Sequence, residues 1–191
     1  MQTTTLSLDN MHANGALYAD LMQARQGAAV EDASATNPAS YDQYDTPASR
    51  WVTVHRDGRV LAGVRLTPTT HRCGVYSYMV RDAQVGLIEG MPMDLLHDDA
   101  PVADHVWEAS RPFVRDDVPQ EDRRALLGEL LGELVRAVRA CGGTQVIGLL
   151  PAATPRLVRR AGLPCTPLGP VVRVDGANVV CASVSIQAKL H

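Results

Sequence analysis

The chain predicts an α/β domain built on a single mixed sheet, three layers deep, with helices on both faces. Three observations carry that expectation. Trp51-Val52-Thr53-Val54-His55 and Val60-Leu61-Ala62-Gly63-Val64-Arg65-Leu66 are β-rich runs joined across Asp57-Gly58, and Asp175-Gly176 joins two further valine-rich runs near the C-terminus. Asp-Gly between such runs is the signal of a primed hairpin turn. Between the hairpins lie strand-like runs at 107–114 and 144–151, and two helical patterns connect them. Strands outnumber helices, and helices that link strands cover a sheet.

At 191 residues the chain fits one compact domain, 1–191, with a mobile N-terminal segment and a mobile loop at about 27–49. Hydrophobic residues make up 46% and charged residues 20%, ordinary globular values. No apolar run reaches bilayer length. Met1-Gln2-Thr3-Thr4-Thr5-Leu6 lacks the basic, apolar, small-residue order of a secretory signal, which places the protein in the cytoplasm. Cys73, Cys141, Cys165 and Cys181 have no C-x-x-C spacing and no nearby histidine pair, so neither a metal site nor a redox motif is expected. A net charge of -3 gives no nucleic-acid signature.

Leu17, Leu21, Met22, Ala24 and Ala28 recur at near-helical spacing, predicting a helix over 14–29 with Arg25 near its end. Taken alone, Arg25 reads as a solvated helix residue. The segment from Gly27 to Ser49 has no sustained period and is long for a structureless loop, which makes it a lid or substrate segment. Within it, Tyr41-Asp42-Gln43-Tyr44-Asp45 sets two carboxylates three apart between aromatic rings. That is either a solvated acidic turn or a carboxylate pair with an aromatic wall, suited to a cation. Arg65, near the end of its strand, is placed to pair with Asp42, Asp45 or Glu108, whereas His55 reads as an exposed strand residue.

Tyr76-Ser77-Tyr78-Met79-Val80-Arg81 predicts a short strand. Arg115-Asp116-Asp117 supplies capping groups for a helix from about Gln120 to Ala140, whose apolar stripe includes Leu126, Leu127, Leu130, Leu131, Leu134, Val135 and Val138. Thr154-Pro155 opens a short helix that carries Arg156, Arg159 and Arg160, either a solvated face or a docking patch for an anionic partner.

The strand Trp107-Glu108-Ala109-Ser110-Arg111-Pro112-Phe113-Val114 is where chemistry concentrates. Pleating puts Glu108 and Ser110 on one face and Trp107, Ala109 and Arg111 on the other. Charges in an apolar strand need partners. Two readings are open, a structural ion pair at the strand end and a chemical site.

In its ordered motifs the chain resembles the acyl-homoserine-lactone synthases, the LuxI-type autoinducer synthases, over about residues 17–172. The match comprises Arg25, Asp42-Gln43-Tyr44-Asp45, Gly63-Val64-Arg65-Leu66, Pro68-Thr69-Thr70, Tyr78-Met79-Val80-Arg81-Asp82, Trp107-Glu108-Ala109-Ser110-Arg111, Gly162 and Leu168-Gly169-Pro170. The resemblance implies a fold like that of the GNAT acyltransferases. It also implies a quorum-sensing enzyme of the cytoplasm, transferring an acyl group from acyl carrier protein or coenzyme A to the amine of S-adenosylmethionine, with lactonisation and release of methylthioadenosine. Both are substrates; no prosthetic group or metal is implied.

Residue by residue, the resemblance matches Arg25, Asp42, Asp45, Arg65, Glu108 and Arg111 to the charged positions on which the family's activity depends; with it, Glu108, Arg65, Ser110 and Arg111 are expected to be catalytic and Arg25, Asp42, Asp45, Trp51 and Gly148 to bind substrate. Asp42 and Asp45 would meet the substrate's ammonium or order the loop around it, with Arg65 and Arg111 holding them in a paired network. Glu108 would accept the proton of the attacking amine. Arg156, Arg159 and Arg160 would dock the carrier or coenzyme A. Gly148 stands where a hydroxyl residue is common in the family, implying a pocket for an unsubstituted or unusual acyl group. Gly128 and Gly132 imply a close approach by the sheet or an acyl chain. Two alternatives stand beside this one: a GNAT-like N-acyltransferase acting on another amine, and a non-catalytic homologue that binds an acyl ligand.

Overall fold

The computed structural model describes residues 1–30 and 41–187. Its elements run β1 (Gln2–Leu6), a 3-10 turn (Met11–Ala13), α1 (Gly15–Val30), β2 (Arg50–Arg56), β3 (Arg59–Pro68), α2 (Met79–Gln84), β4 (Val106–Val114), α3 (Gln120–Ala140), β5 (Gln145–Pro151), α4 (Thr154–Arg160), β6 (Cys165–Val174) and β7 (Ala177–Ser185). The strands form a mixed seven-stranded sheet in the order β1-β2-β3-β4-β5-β7-β6, the α/β class expected. No described helix is long and apolar enough to cross a membrane. By contacts the chain falls into two compact units, Met1–Leu66 with Arg111–Ala137, and Thr67–Ser110 with Val138–His191.

In the first unit β1, β2 and β3 pair antiparallel. The β2–β3 turn has positive φ at Asp57 (51°) and Gly58 (80°), as a primed turn requires. On α1, Leu17, Leu21 and Ala24 pack with Leu6, Trp51, Val60 and Phe113 into a core cluster. Asp20 on the same helix accepts from the Val60 N–H at 2.7 Å and from Arg115 at 2.8 Å, tying the helix to the hairpin.

The N-terminal segment, expected to be mobile, forms β1. Its three threonines favour an extended chain, and two of them, Thr3 and Thr5, donate to Glu133 of α3 at 3.0 and 2.9 Å. This strand also explains His55, expected to be exposed but buried at 8% exposure: β1 pairs over it, and its Nε2 lies 2.9 Å from Thr4 Oγ1. Of the 27–49 loop, Gly27–Val30 belong to α1, 31–40 lie outside the described residues, and 41–49 are pinned by local hydrogen bonds such as Ser49 Oγ to the Tyr44 carbonyl at 2.7 Å.

Glu133 gives this unit an acid dependence. Burial raises its pKa, but the hydrogen bonds from Arg136, Thr5 and Thr3 outweigh burial, and the carboxyl ends below its ordinary value of 4.5. A carboxyl depressed by folding contributes stability that is present above the unfolded value and disappears as pH falls through the folded value. Urea melts from pH 6 down to pH 3 are expected to show a flatter decline for Glu133→Gln than for the wild type. Parallel declines would remove Glu133 from this role.

Of the α3 stripe, Leu126, Leu130, Val135 and Val138 are buried, while Leu127 is exposed. Gly128 and Gly132 do not serve a close approach: a Cβ would meet nothing within 4 Å at Gly128 and only Arg136 Nη1, at 3.6 Å, at Gly132. Nothing in the structure explains the pair. Asp117, expected to help cap α3, pairs with Arg59.

In the second unit, β7 lies between β5 and β6 and is antiparallel to both. The β6–β7 turn has positive φ at Asp175 (48°) and Gly176 (79°). Tyr78, Val80, Leu95, Leu96, Val106 and Ile147 are among the residues of its core cluster. The expected strand at 76–81 is instead the start of α2. Ser77 turns the chain by donating its N–H and hydroxyl to Asp82 at 2.9 and 2.6 Å, and Tyr78 is the last extended residue before the helix.

Candidate active site

The first unit brings together six of the residues singled out in the sequence. Arg25, on the buried face of α1, is 2% exposed rather than solvated. Its two terminal nitrogens meet the two oxygens of Asp45 at 3.2 and 3.1 Å, and its guanidinium lies 4.0 Å over the centroid of Trp51. Trp51 is therefore a platform for an arginine, and a forked pair on an aromatic face is a geometry specific to arginine. Arg65, fully buried on β3, pairs with Asp42 and, at 3.3 Å, with Asp45. Arg111 stands 3.6 Å from Asp42.

The two aspartates also fold their own segment. Asp45 accepts from the Asp42 N–H at 2.8 Å and Asp42 from the Tyr44 N–H at 2.9 Å. Asp42-Gln43-Tyr44-Asp45 is thus a self-closed turn, made stiff by guanidinium pairs and not by sequence-local bonds alone. Burial lowers the Arg25 pKa from its ordinary value, Asp45 opposes that shift, and the like charges of Arg65 and Arg111 add to it.

Strand alternation fails at Arg111, where φ is 51°. A left-handed arginine carries backbone strain, and such residues concentrate at functional positions. Sequence periodicity alone would have left Arg111 on the Trp107 face.

In the second unit, Glu108 is fully buried and both its oxygens are used: the Val80 N–H donates to Oε1 at 2.8 Å and the Met79 N–H to Oε2 at 3.1 Å. A carboxylate here meets the unsatisfied amides that open α2. These partners were missed in the sequence because the segment reads as a strand. Ser110 is buried at 1% exposure.

Gly148 does not line open space. A Cβ there would lie 2.5 Å from the Ala109 carbonyl oxygen, so the glycine lets β4 backbone approach β5. Parallel pairing of the two strands covers Val106–Glu108 with Gln145–Ile147 and goes no further. Gly148 thus lies against the Ala109 carbonyl, one residue past that pairing.

No family model matches the chain. It is 26% identical over 152 residues to an acyl-homoserine-lactone synthase of Acinetobacter nosocomialis, with 76% of each chain covered. The structure of TofI in a ternary complex with an inhibitor and MTA superposes with a TM-score of 0.76 at 26% identity, covering 100% of this chain and 94% of TofI. The chain is similar to acyl-homoserine-lactone synthases in both sequence and fold. Its fold is GNAT-like: an acyl-CoA N-acyltransferase from Pseudomonas aeruginosa shares it at a TM-score of 0.60 and 16% identity, over 95% of this chain and 97% of that one.

Two groups near Glu108, Cys181 and Tyr78, are held toward their protonated forms. Burial first, and then the Glu108 charge, pushes the Cys181 thiol up to about 12. The same two causes raise the phenol of Tyr78, which donates to the Pro101 carbonyl at 2.6 Å. Cys181 is a thiol at neutral pH, and only the thiolate is a competent nucleophile. On α4, Arg156 and Arg160 are exposed, while Arg159 donates to the Cys165 carbonyl at 2.9 Å and so also braces the start of β6.

Proposed function

We propose that this protein makes acyl-homoserine lactones in the cytoplasm. It transfers the acyl group of a thioester, carried on acyl carrier protein or coenzyme A, to the amine of S-adenosylmethionine. The product then closes to the lactone and releases methylthioadenosine. The observation that carries this reading is the buried pairing of Arg25 and Arg65 with Asp42 and Asp45, joined by Arg111. A packed domain hides so many charges only when they are fully paired, and a rigid charged floor is what orienting a zwitterionic substrate needs.

An amine attacks a thioester as the free base, so its ammonium must first lose a proton. Glu108 takes that proton, directly or through a water. The new N–C bond forms as the thioester C–S bond breaks, and the nitrogen sheds its second proton to the departing sulfur, which leaves as the thiol. Ser110, buried two residues along the strand, is assigned to the same step. The likeness to TofI, whose complex contains MTA, supports the proposed leaving group. The test is to incubate the protein with S-adenosylmethionine and a panel of acyl-coenzyme A and acyl-carrier substrates, following methylthioadenosine and lactone by mass spectrometry. Folded protein that yields neither product from any thioester would sink the reading.

Docking of the acyl donor is assigned to Arg156 and Arg160, with Arg159 contributing. Reversing charge at Arg156 and Arg160 is expected to raise KM for a carrier-bound donor about tenfold, more at low salt, as loss of electrostatic steering does. An unchanged KM would rule the patch out.

A further inference from the structure

Glu108 is gripped by a segment that is itself held in place by other residues of the second unit. Its Oε2 accepts from the Met79 N–H at 3.1 Å and its Oε1 from the Val80 N–H at 2.8 Å. A carboxylate held on both oxygens by adjacent amides cannot turn about its last side-chain bond without breaking one of those hydrogen bonds. The direction of its remaining lone pairs is therefore set by where Met79 and Val80 put their N–H groups.

Those two amides are placed by the residues on either side of them. Tyr78, fully buried, is pinned through its phenol to the Pro101 carbonyl at 2.6 Å. Ser77, also buried, donates its N–H to one oxygen of Asp82 at 2.9 Å and its hydroxyl to the other at 2.6 Å. Asp82 is 1% exposed, and among the described residues its carboxylate makes no ion pair; the neighbouring Arg81 turns to the Ser77 hydroxyl at 3.5 Å. The backbone of Asp82 is fixed as well, its N–H meeting the Tyr78 carbonyl at 3.0 Å and its carbonyl the Leu87 N–H at 2.8 Å. The fork between Ser77 and Asp82 thus clamps the chain across the residues that hold Glu108. Two buried carboxylates divide the amides of Ser77, Met79 and Val80, Asp82 taking the first and Glu108 the other two.

We propose that Asp82 is a positioning residue for the acyl-transfer step: by clamping Ser77 it aims the Met79 and Val80 amides, and through them the carboxylate of Glu108, at the attacking amine. This inference rests on the reading above, in which Glu108 takes the ammonium proton. Asp82 moves no proton itself and acts through Glu108. A general base must meet its proton within hydrogen-bond reach, and a misplacement of about 1 Å can cost about 10²-fold in rate. A merely structural Asp82 would cost stability and slow the reaction equally whether or not Glu108 is present.

The test is single-turnover thiol release by the full chain from the acyl thioester that the wild type uses best, read beside KM for S-adenosylmethionine and the melting temperature. Asp82→Ala is expected to slow release about 10²-fold with KM unchanged, the pattern of a loss felt only in the transition state. Asp82→Asn can still accept from the Ser77 N–H and give its NH2 to the Ser77 hydroxyl, so it should keep most of the rate. Ser77→Ala removes one bond of the clamp and should lose roughly tenfold; it carries the test if Asp82→Ala does not fold. In the Glu108→Gln background neither alanine change should slow the residual reaction further, because a group that acts through Glu108 has nothing left to aim. Equal losses in both backgrounds would make Asp82 structural and overturn the proposal. So would wild-type rates in both alanine variants, or a loss in Asp82→Asn as large as in Asp82→Ala, which would assign the effect to charge. Wild type that releases no thiol from any thioester would overturn the synthase reading itself, and the proposal with it.

Discussion

Glu108→Gln is expected to slow acyl transfer by roughly 10²–10⁴-fold, the range for loss of a positioned general base, while costing about 1–2 kcal/mol of stability. The two effects have separate causes. Stability falls because the carboxylate meets the Met79 and Val80 N–H groups with one oxygen each. A carboxamide offers one acceptor, so its NH2 is turned on the other N–H and one donor at the start of α2 goes unsatisfied. The rate falls because a neutral amide cannot take the ammonium proton. Single-turnover release of the free thiol, read beside urea melts, separates them. Glu108→Asp retains a base on a shorter stem and should sit between. A glutamine variant that turns over at the wild-type rate would remove Glu108 from proton transfer and leave it as the helix-capping group alone.

What the sequence made legible follows from how local each signal is. Both Asp-Gly turns, α1 and α3 were readable because turn chemistry and a 3.6-residue period act within a few residues. The start of α2 was not, since Tyr76 to Val80 is β-prone by composition and its helix depends on Asp82 and on Glu108, the latter far along the chain. β1 was missed because a five-residue threonine run carries no period, and its anchor, Glu133, comes from α3. The same divide runs through the charged cluster. Motif order identified Arg25, Asp42, Asp45, Arg65 and Arg111, but only geometry shows that Arg25 and Arg65 are buried against the carboxylates while Arg111 stands 3.6 Å from Asp42 with its side chain 36% exposed. Gly148, expected to shape an acyl pocket, meets a backbone carbonyl, and no single-strand pattern reports that approach.

Arg65→Met should cost about 3–5 kcal/mol, the loss that follows when one member of a buried ion pair is removed. Arg65 is fully buried and faces both Asp42 and Asp45, with its guanidinium 5.5 Å from the Trp51 centroid and 5.4 Å from that of Tyr44. Methionine fills much of the same volume, so the loss is electrostatic rather than a cavity effect. Arg25 alone cannot balance two carboxylates, and Arg111 is too far and too exposed to take over. For a chain of this size the melting temperature should drop by roughly 6–20 °C. Added salt should restore little, because counterions screen buried charges poorly. Pairing the change with Asp42→Asn removes the stranded carboxylate and should recover part of the loss, a coupling that a double-mutant cycle measures directly. A loss below about 1 kcal/mol, the value of an exposed pair, would mean that water reaches the cluster. The rigid charged floor proposed for the substrate would then not exist.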